Sequence, residues 1–262
     1  MRHVLKFASG MLMIVTMQVT NAQQSGDWNG KKCAVVLTYD DALQEHLDYV
    51  IPALDSAGLQ ATFYLTGESP VVGRNIPAWR IAAGKGHELG NHTLRHPCDG
   101  RLPGRSWLSP EMDLSKYSVD RAIKEITITN SLLQAIDGKP ERTFAYPCGD
   151  EKIDTVAIYP LVQDQFLAAR GVKPGLESPA IIHYNNINCF SIAGQDGAYM
   201  IELVNRAIKE KKLLVFLFHG VGSDYSLNVS KEAHRQLVEY LRLHEAEIWV
   251  APMVDVVRFI KK

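Results

Sequence analysis

Short apolar runs alternate with amphipathic stretches along most of the chain. The runs predict eight strands, with the sequences CAVVLT, ATFYLT, HELGN, RTFAYP, FLAAR, NCFSIA, LLVFLF and EIWVA. The stretches between them predict helices at about 43–57, 74–85, 117–137, 199–211, 230–245 and 252–261. Continuous apolar strands that alternate with helices are typical of βα units around a parallel sheet.

No change in composition divides the chain after residue 31, and no internal repeat is visible. We therefore expect a single α/β domain that resembles a barrel. Residues 97–116 form a long stretch rich in proline and glycine, and residues 170–186 are similar. Loops of this length in a compact domain are usually functional.

The first residues have the pattern of a targeting segment. Arg2, His3 and Lys6 precede the apolar run ASGMLMIVTMQV, and the small or polar residues TNA follow. This pattern predicts a secretory signal peptide over residues 1–22. A transmembrane anchor is the alternative, but the run is shorter than the ~20 residues that a span needs. With 23–30 as a polar linker, residues 31–262 form the mature domain, secreted or periplasmic and free of the membrane after cleavage.

The charge balance narrows the class of partner. The chain of 262 residues has 28 Lys and Arg against 29 Asp and Glu, a formal net charge of -1. This balance gives no support to binding of nucleic acid or of an anionic membrane surface. The sequence leaves the oligomeric state open.

Polar side chains capable of chemistry follow four of the predicted strands. In a parallel α/β barrel the carboxyl ends of the strands lie on one face, where catalytic groups collect. The groups at these positions are Asp40 and Asp41, His92 and His96, Pro147-Cys148-Gly149, and His219.

The spacing of two of these histidines favours a metal site. His92 and His96, at i and i+4, would share one side of a helical turn and reach one ion. A carboxylate completes a set of two histidines and one acid, which is typical of hydrolytic metal sites, and the second aspartate is free to act as a base. Taken singly, each group has another interpretation: a surface histidine pair, an aspartate that caps the helix from Ala42, or a turn at His219. Their joint placement after three strands favours the site.

The segments LTYDD, HTLRH, FAYPCG and FLFHG resemble, in order and separation, the motifs of the polysaccharide deacetylase family (NodB homology, carbohydrate esterase family 4). The resemblance covers about residues 31–260. It implies a distorted (β/α) barrel with an incomplete strand set. It also implies removal of acetyl groups from chitin-like, peptidoglycan or xylan chains with one divalent metal ion, commonly Zn²⁺, with Co²⁺, Mn²⁺ or Ni²⁺ possible.

The resemblance also implies a role for each motif residue. The ligands would be Asp41, His92 and His96; Asp40 would be the general base and His219 the general acid. The backbone N–H of Cys148 would help to hold the oxyanion. The base would take a proton from the attacking water, and the acid would protonate the departing amine or alcohol.

The middle motif departs from the family pattern. Ala145 stands where the family has the arginine that pairs with the base, and Cys148 replaces an aromatic residue. Arg142 is three residues earlier on the strand and is expected to face away. Asp196 is a candidate for the aspartate that tunes the acid histidine, with a turn aspartate as the alternative.

The four cysteines match no CxxC metal pattern, and export permits disulfides. Cys98 and Cys148 both belong to the rim of the predicted site, so we predict that they are bonded and tie down the 97–116 loop. The alternative is two free thiols, with Cys98 as an extra ligand. Cys33 and Cys189 lie in apolar strands and are predicted to be free and buried.

Three functional classes follow. The leading one is a metal-dependent hydrolase that removes N- or O-linked acetyl groups from an extracytoplasmic carbohydrate. The alternative is a non-catalytic carbohydrate-binding relative, against which the retention of all five Asp and His motif residues argues. An exported binding protein for transport would need a two-lobe pattern, which the sequence lacks.

Overall fold

The computed structural model describes Met1 and residues 28–262. The predicted signal peptide and most of the predicted linker lie outside the described residues. Trp28, at the end of that linker, is fully buried, and its indole N–H donates a hydrogen bond to the Lys211 carbonyl at 3.0 Å. The folded domain thus includes this residue. Within residues 28–262, no helix is both long enough and apolar enough to cross a bilayer.

All eight predicted strands are present, together with four short additional ones. The strands are β1 (Cys33–Asp40), β2 (Thr62–Leu65), β3 (Glu88–Asn91), β4 (Phe144–Ala145), β5 (Lys152–Ile153), β6 (Val156–Ala157), β7 (Ala169–Arg170), β8 (Phe190–Ser191), β9 (Leu213–Phe218), β10 (Gly220–Val221), β11 (Asn228–Val229) and β12 (Ile248–Val250).

The main sheet is parallel throughout and has the order β7-β4-β3-β2-β1-β9-β8, with β12 also paired to β1. β1 is the central strand, and all eight of its residues are buried. Along one edge it pairs with β9. On the other edge its first half pairs with β12 and its last residues pair with β2. Burial on both faces explains why this strand is a continuous apolar run.

The sheet curls into an incomplete barrel. β7 and β8 are its two ends, and the chain before β8 lies across the gap between them. There the Ile187 N–H donates to the Ala169 carbonyl at 2.8 Å, and the Gly171 N–H donates to the Ile187 carbonyl at 2.9 Å. The predicted fold, a single-domain distorted (β/α) barrel with an incomplete strand set, is confirmed.

All six predicted helices are present, with boundaries that differ by a few residues. The helices are α1 (Ile51–Ser56), α2 (Pro70–Arg74), α3 (Ile76–Gly84), α4 (Val119–Asp137), α5 (Tyr159–Val162), α6 (Gly197–Glu210), α7 (Lys231–Leu243) and α8 (Met253–Ile260). A π-helical turn, His46–Val50, leads into α1. Ser118 and Ser230 cap α4 and α7 by accepting backbone N–H bonds, which explains where these helices begin.

The 97–116 segment is a loop, as predicted. It contains two short 3-10 turns, Pro110–Met112 and Leu114–Lys116, and its two ends lie side by side. The Cys98 N–H donates to the Met112 carbonyl at 3.0 Å, and the Leu114 N–H donates to the Cys98 carbonyl at 2.8 Å. The loop therefore leaves and rejoins the barrel through a narrow neck.

Candidate active site

The carboxyl ends of β1, β3 and β9 converge on one open cleft of about 560 Å³. Asp40 is the last residue of β1, while His92 and His219 directly follow β3 and β9. The structure brings all six sequence-predicted site residues into this cleft, whose lining includes Asp40, Asp41, His92, His96, Cys148 and His219. Their grouping follows from the parallel sheet, since strand ends separated in sequence meet at one edge.

Three of these side chains form a compact donor set. One ligand atom from each of Asp41, His92 and His96 lies within 4.8 Å of the other two. Asp41 Oδ1 is 3.6 Å from His92 Nε2 and 3.5 Å from His96 Nε2. Two imidazole nitrogens and one carboxylate oxygen are a donor set that suits Zn²⁺ and related divalent ions, and they leave positions open for water and substrate.

Both imidazoles are prepared to act as ligands. His92 is buried, and its Nδ1–H donates to the Ala145 carbonyl at 2.9 Å, which directs Nε2 at Asp41 and makes it the nitrogen that can bind an ion. Burial, with a further contribution from His92, lowers the pKa of His96 to about 4. A neutral imidazole is the form that binds a metal, so the His96 ring need not lose a proton at neutral pH.

The turn that presents the two histidines is not helical, so the expectation of a helical turn was wrong. Asn91 Oδ1 accepts from the Thr93 N–H at 2.8 Å, and Thr93 Oγ1 accepts from the His96 N–H at 2.9 Å. Thr93 and His96 have left-handed backbone, with φ of 64° and 56°. Asp41, Ala42 and Cys148 also have positive φ. Such backbone strain in residues other than glycine is typical of functional sites.

Asp40 lies deeper than Asp41 and has a different partner. Its Oδ2 forms a buried ion pair with Arg170 and lies 3.7 Å from His92 Nε2. Among the described residues, its other oxygen, Oδ1, is buried with no hydrogen-bond partner. A buried carboxylate oxygen without a hydrogen-bond partner destabilises the folded protein unless a ligand or a water molecule donates a hydrogen bond to it. Asp40 Oδ1 is therefore free to accept a hydrogen bond from a molecule bound in the cleft.

Arg170 forms the ion pair with Asp40 that the family resemblance would assign to an arginine at position 145. Ala145 and Arg170 are Cα partners across β4 and β7, so the guanidinium comes from the neighbouring strand. Although burial alone would lower the pKa of Arg170, the adjacent Asp40 raises it. Arg142 faces away, as predicted: it is buried beside Asp137 and donates to the Leu89 carbonyl at 2.8 Å. Sequence reasoning missed Arg170, although it ends the predicted strand FLAAR.

Tyr225 is a second residue that the sequence did not reveal. Its hydroxyl donates to Asp41 Oδ2 at 2.7 Å, and its ring stacks on His219 with centroids 6.0 Å apart. Burial alone would raise the pKa of Asp41, but His96, the other two imidazoles and this hydroxyl outweigh it and hold the pKa below its usual value. Asp41 is therefore a carboxylate at neutral pH, as a ligand must be.

His219 lies at the edge of the donor set. Its Nε2 is 3.9 Å from Asp41 Oδ2, and within the described chain its buried Nδ1 has no hydrogen-bond partner. Asp196 is therefore not bonded to it. Instead, Asp196 accepts from the Tyr199 N–H at 2.9 Å and caps α6, so its interpretation as the tuning aspartate was wrong.

His46 fixes the position of the His219 backbone. It is fully buried, its Nε2–H donates to the His219 carbonyl at 2.8 Å, and its Nδ1 accepts from the Leu43 N–H at 3.3 Å. Burial lowers the pKa of His46, in keeping with the neutral tautomer that both bonds require. It thereby joins the loop after β1 to the loop after β9. A lone histidine within a predicted helix carries no sequence signal for this role.

The cysteines are paired as predicted. Cys98 and Cys148 form a disulfide that closes 50 residues of chain at the neck of the 97–116 loop, while Cys33 and Cys189 are free and buried. Burial raises the pKa of Cys33 to about 12, so this thiol is inert at neutral pH. The bond occupies both sulfurs at the rim, which removes Cys98 as an extra ligand.

A family model for polysaccharide deacetylase matches residues 28–162, more than half of the chain. A gellan lyase from Bacillus sp. is 29% identical over 273 residues, covering 90% of this chain and 10% of that protein. A peptidoglycan-N-acetylglucosamine deacetylase from Bacillus cereus is 29% identical over 127 residues, covering 48% of this chain and 39% of that protein. The chain thus spans much less than two thirds of either relative.

A solved structure of a candidate polysaccharide deacetylase from Mycobacterium smegmatis superposes with a TM-score of 0.62 at 15% identity, covering 90% of this chain and 93% of that one. Likeness at this identity establishes the fold, and the match to the family model establishes the family. The chain belongs to the polysaccharide deacetylase family, as its four motifs predict.

Proposed function

We propose that this protein is a metal-dependent hydrolase that removes acetyl groups from a carbohydrate. The observation that carries the proposal is the donor set of Asp41, His92 and His96 beside a buried, ion-paired Asp40. The two aspartates are adjacent in sequence but differ in surroundings, which is the arrangement that separates a ligand from a base.

The donor set would hold one divalent ion, with Zn²⁺ the expected one. When bound, such an ion supplies Lewis acidity toward a water molecule and toward the acetyl carbonyl. Asp41 approaches the set from the loop after β1, and both histidines approach from the turn after β3. Tyr225 holds the outer oxygen of Asp41, and the Ala145 carbonyl holds the ring of His92.

Asp40 is placed to act as the general base. Arg170 binds its Oδ2 and fixes the carboxylate plane, while Oδ1 remains available to accept a proton from the attacking water. Positioned general bases commonly contribute ~10²–10⁴-fold to the rate.

His219 would protonate the departing nitrogen or oxygen of the sugar. Its Nε2 lies at the cleft, and His46 anchors its backbone from below. The backbone N–H of Cys148, held at the rim by the disulfide, would donate to the carbonyl oxygen as negative charge develops there.

The family and the Bacillus cereus relative support an acetylated carbohydrate as substrate. We include N-acetyl groups of peptidoglycan or chitin-like chains and O-acetyl groups of xylan. The disulfide supports an oxidising compartment, which agrees with the secreted or periplasmic location that the N-terminal pattern predicts. Neither N- nor O-linkage is favoured by the geometry, because His219 can protonate an amine or an alcohol oxygen.

Acetate release from peptidoglycan, chitooligosaccharides and acetylated xylan tests the proposal, with the metal content of the same sample measured by mass spectrometry. We expect about one divalent ion per chain and loss of activity on chelation. Asp40→Asn should retain the ion and lose activity about 10²–10⁴-fold, whereas Asp41→Asn should lose the ion.

The matched control for charge and volume is Asp48→Asn in the π-helical turn, which should change neither property. Exchanged phenotypes for Asp40 and Asp41 would reverse the two roles. A protein that binds acetylated oligosaccharide and releases no acetate from any of the three substrates would be a non-catalytic relative instead.

A further inference from the structure

Trp107 is an exposed aromatic side chain at the mouth of the cleft. It lies in the 97–116 loop, 57% of its surface is accessible, and it lines the same cleft as the five Asp and His residues. None of the proposed catalytic steps uses it. An indole offers a large, rigid and mostly apolar surface on which a ligand can stack.

The loop that carries Trp107 is held firmly. The disulfide and the backbone bonds of Cys98 close its neck. Within the loop, Arg105 forms a partly buried ion pair with Asp150 and donates to the Asp99 carbonyl at 3.1 Å. An aromatic side chain on a rigid support loses little conformational entropy when a ligand stacks on it, so the position suits recognition.

The remainder of the cleft lining is apolar or uncharged. Besides the five Asp and His residues, the part of the lining that residues 28–262 provide contains no acidic, basic or histidine side chain. Its exposed part includes Leu227 and Tyr225, with Ser226 between them. No Lys or Arg of the described lining is available to offset the desolvation of a polyanionic glycan, whereas a neutral sugar needs none.

A pyranose ring has the matching chemistry. Its axial C–H groups form an apolar face, and its equatorial hydroxyls remain free to bond with water at the edge. The cleft volume of about 560 Å³ is within the ~300–1,000 Å³ range of pockets that enclose small ligands. It therefore extends beyond the few atoms of an acetyl group.

We propose that Trp107 is a stacking platform for a sugar unit next to the acetylated one, so that the site selects uncharged acetylated glycans of two or more units. This inference rests on the proposed deacetylase function and names its substrate class. Trp107 determines specificity through binding and takes no part in proton transfer.

The test compares Trp107→Ala and Trp107→Phe with wild type on an acetylated chitooligosaccharide and on 4-nitrophenyl acetate. For the oligosaccharide, Trp107→Ala should raise KM about tenfold with little change in kcat, and Trp107→Phe should recover most of the loss. For the small ester, kcat/KM should stay unchanged. The control is Tyr199→Ala, an exposed aromatic on α6 outside the cleft lining, which should behave as wild type. Equal losses on both substrates, or no loss on either, would overturn the inference.

A second arm separates this inference from the proposed function. Binding of a neutral oligosaccharide and of a uronate-containing one is measured calorimetrically on Asp40→Asn, which is expected to be inactive. Tighter binding of the neutral ligand, weakened by adding Trp107→Ala, supports the platform even if no acetate is ever released. Tighter binding of the uronate, or binding that ignores Trp107, refutes it even if the enzyme is an active deacetylase.

Discussion

The floor and the rim of the cleft are built in different ways. The floor consists of side chains at strand ends, such as Asp40, His92 and Arg170, which are buried and bonded to one another or to neighbouring backbone. The rim consists of loops held by one disulfide and one partly buried ion pair, and it leaves Trp107 exposed. The sheet thus fixes the groups to which we assign the reaction, while loops of this kind are free to vary with the substrate.

We expect the largest losses of stability and activity from a substitution in the floor of the cleft. Arg170→Ala would leave Asp40 as a buried carboxylate without a partner, which we expect to lower the free energy of unfolding by about 3–5 kcal/mol. The activity per folded molecule should also fall strongly, because the proposed base, Asp40, loses the ion-pair partner that orients it. Urea unfolding and acetate release, each corrected for the folded fraction, provide the measurement.

Arg142→Ala is the matched control, since this arginine is also buried but pairs with Asp137 away from the cleft. It should destabilise the protein to a similar extent and leave the activity of the folded fraction intact. If both variants lose stability and neither loses specific activity, the floor is purely structural.

Removing the disulfide at the rim should cause the next largest losses of stability and activity. The double variant Cys98→Ser, Cys148→Ser removes a link across 50 residues, which typically costs about 2–4 kcal/mol of stability. Activity on oligosaccharides should fall more than the metal content does. The 97–116 loop loses the disulfide at its neck, whereas the turn that carries His92 and His96 keeps its own hydrogen bonds. Cys33→Ser, in a free buried thiol, is the comparison variant. Loss of metal in the double variant would mean that the disulfide at the rim also holds the metal-binding side chains in place, contrary to this division of the cleft.

A pH effect is expected from His234, which lies beneath the floor. It is fully buried, its Nε2 bonds to Tyr39 at 2.8 Å, and burial lowers its pKa to about 4. The unfolded chain therefore binds more protons between pH 6.5 and 4, so stability is present above this window and is lost as the pH falls through it. The loss could reach about 2.5 kcal/mol by pH 4.5.

His234→Gln should flatten this decline in urea unfolding measured at several pH values, whereas His183→Gln, in an exposed position, should leave it unchanged. An identical decline in wild type and His234→Gln would assign the acid sensitivity to other groups.

The smallest effect concerns Asp196, which belongs to neither floor nor rim. Asp196→Ala removes the cap of α6 and should cost about 1 kcal/mol. The pH profile of kcat/KM should not move, because the carboxylate does not reach His219. Ser230→Ala, which removes the cap of α7, is the reference for a cap alone. If the basic limb of the kcat/KM pH profile shifts in Asp196→Ala but not in Ser230→Ala, Asp196 does influence His219 and our reassignment of it as a helix cap is wrong.

Much of the fold and of the floor could be predicted from sequence because the information is local. Most of the strands are short apolar runs, and the chemical groups stand at or shortly after the ends of four strands. The pairing of Cys98 with Cys148 could be predicted because both flank segments that already belonged to the site. The direction of Arg142 followed from the alternation of side chains along a strand.

The remainder depends on contacts between distant segments. Arg170 reaches Asp40 across 130 residues, and Tyr225 reaches Asp41 across 184. No periodicity marks either one. The turn that carries His92 and His96 could not be predicted as irregular, because its left-handed residues are threonine and histidine rather than glycine.

The register of β4 against β7 has a consequence for how relatives are sorted. A survey that separates active from inactive members by the motif around Ala145 would place this chain with the inactive ones. Yet Ala145 and Arg170 are partners on adjacent strands, only about 4.8 Å apart. The cation beside Asp40 thus comes from a strand that neighbours the one carrying the motif. Sorting relatives by the charged group that lies nearest to the Asp40 position in space would retain chains that are discarded when they are sorted by the residue at the Ala145 position.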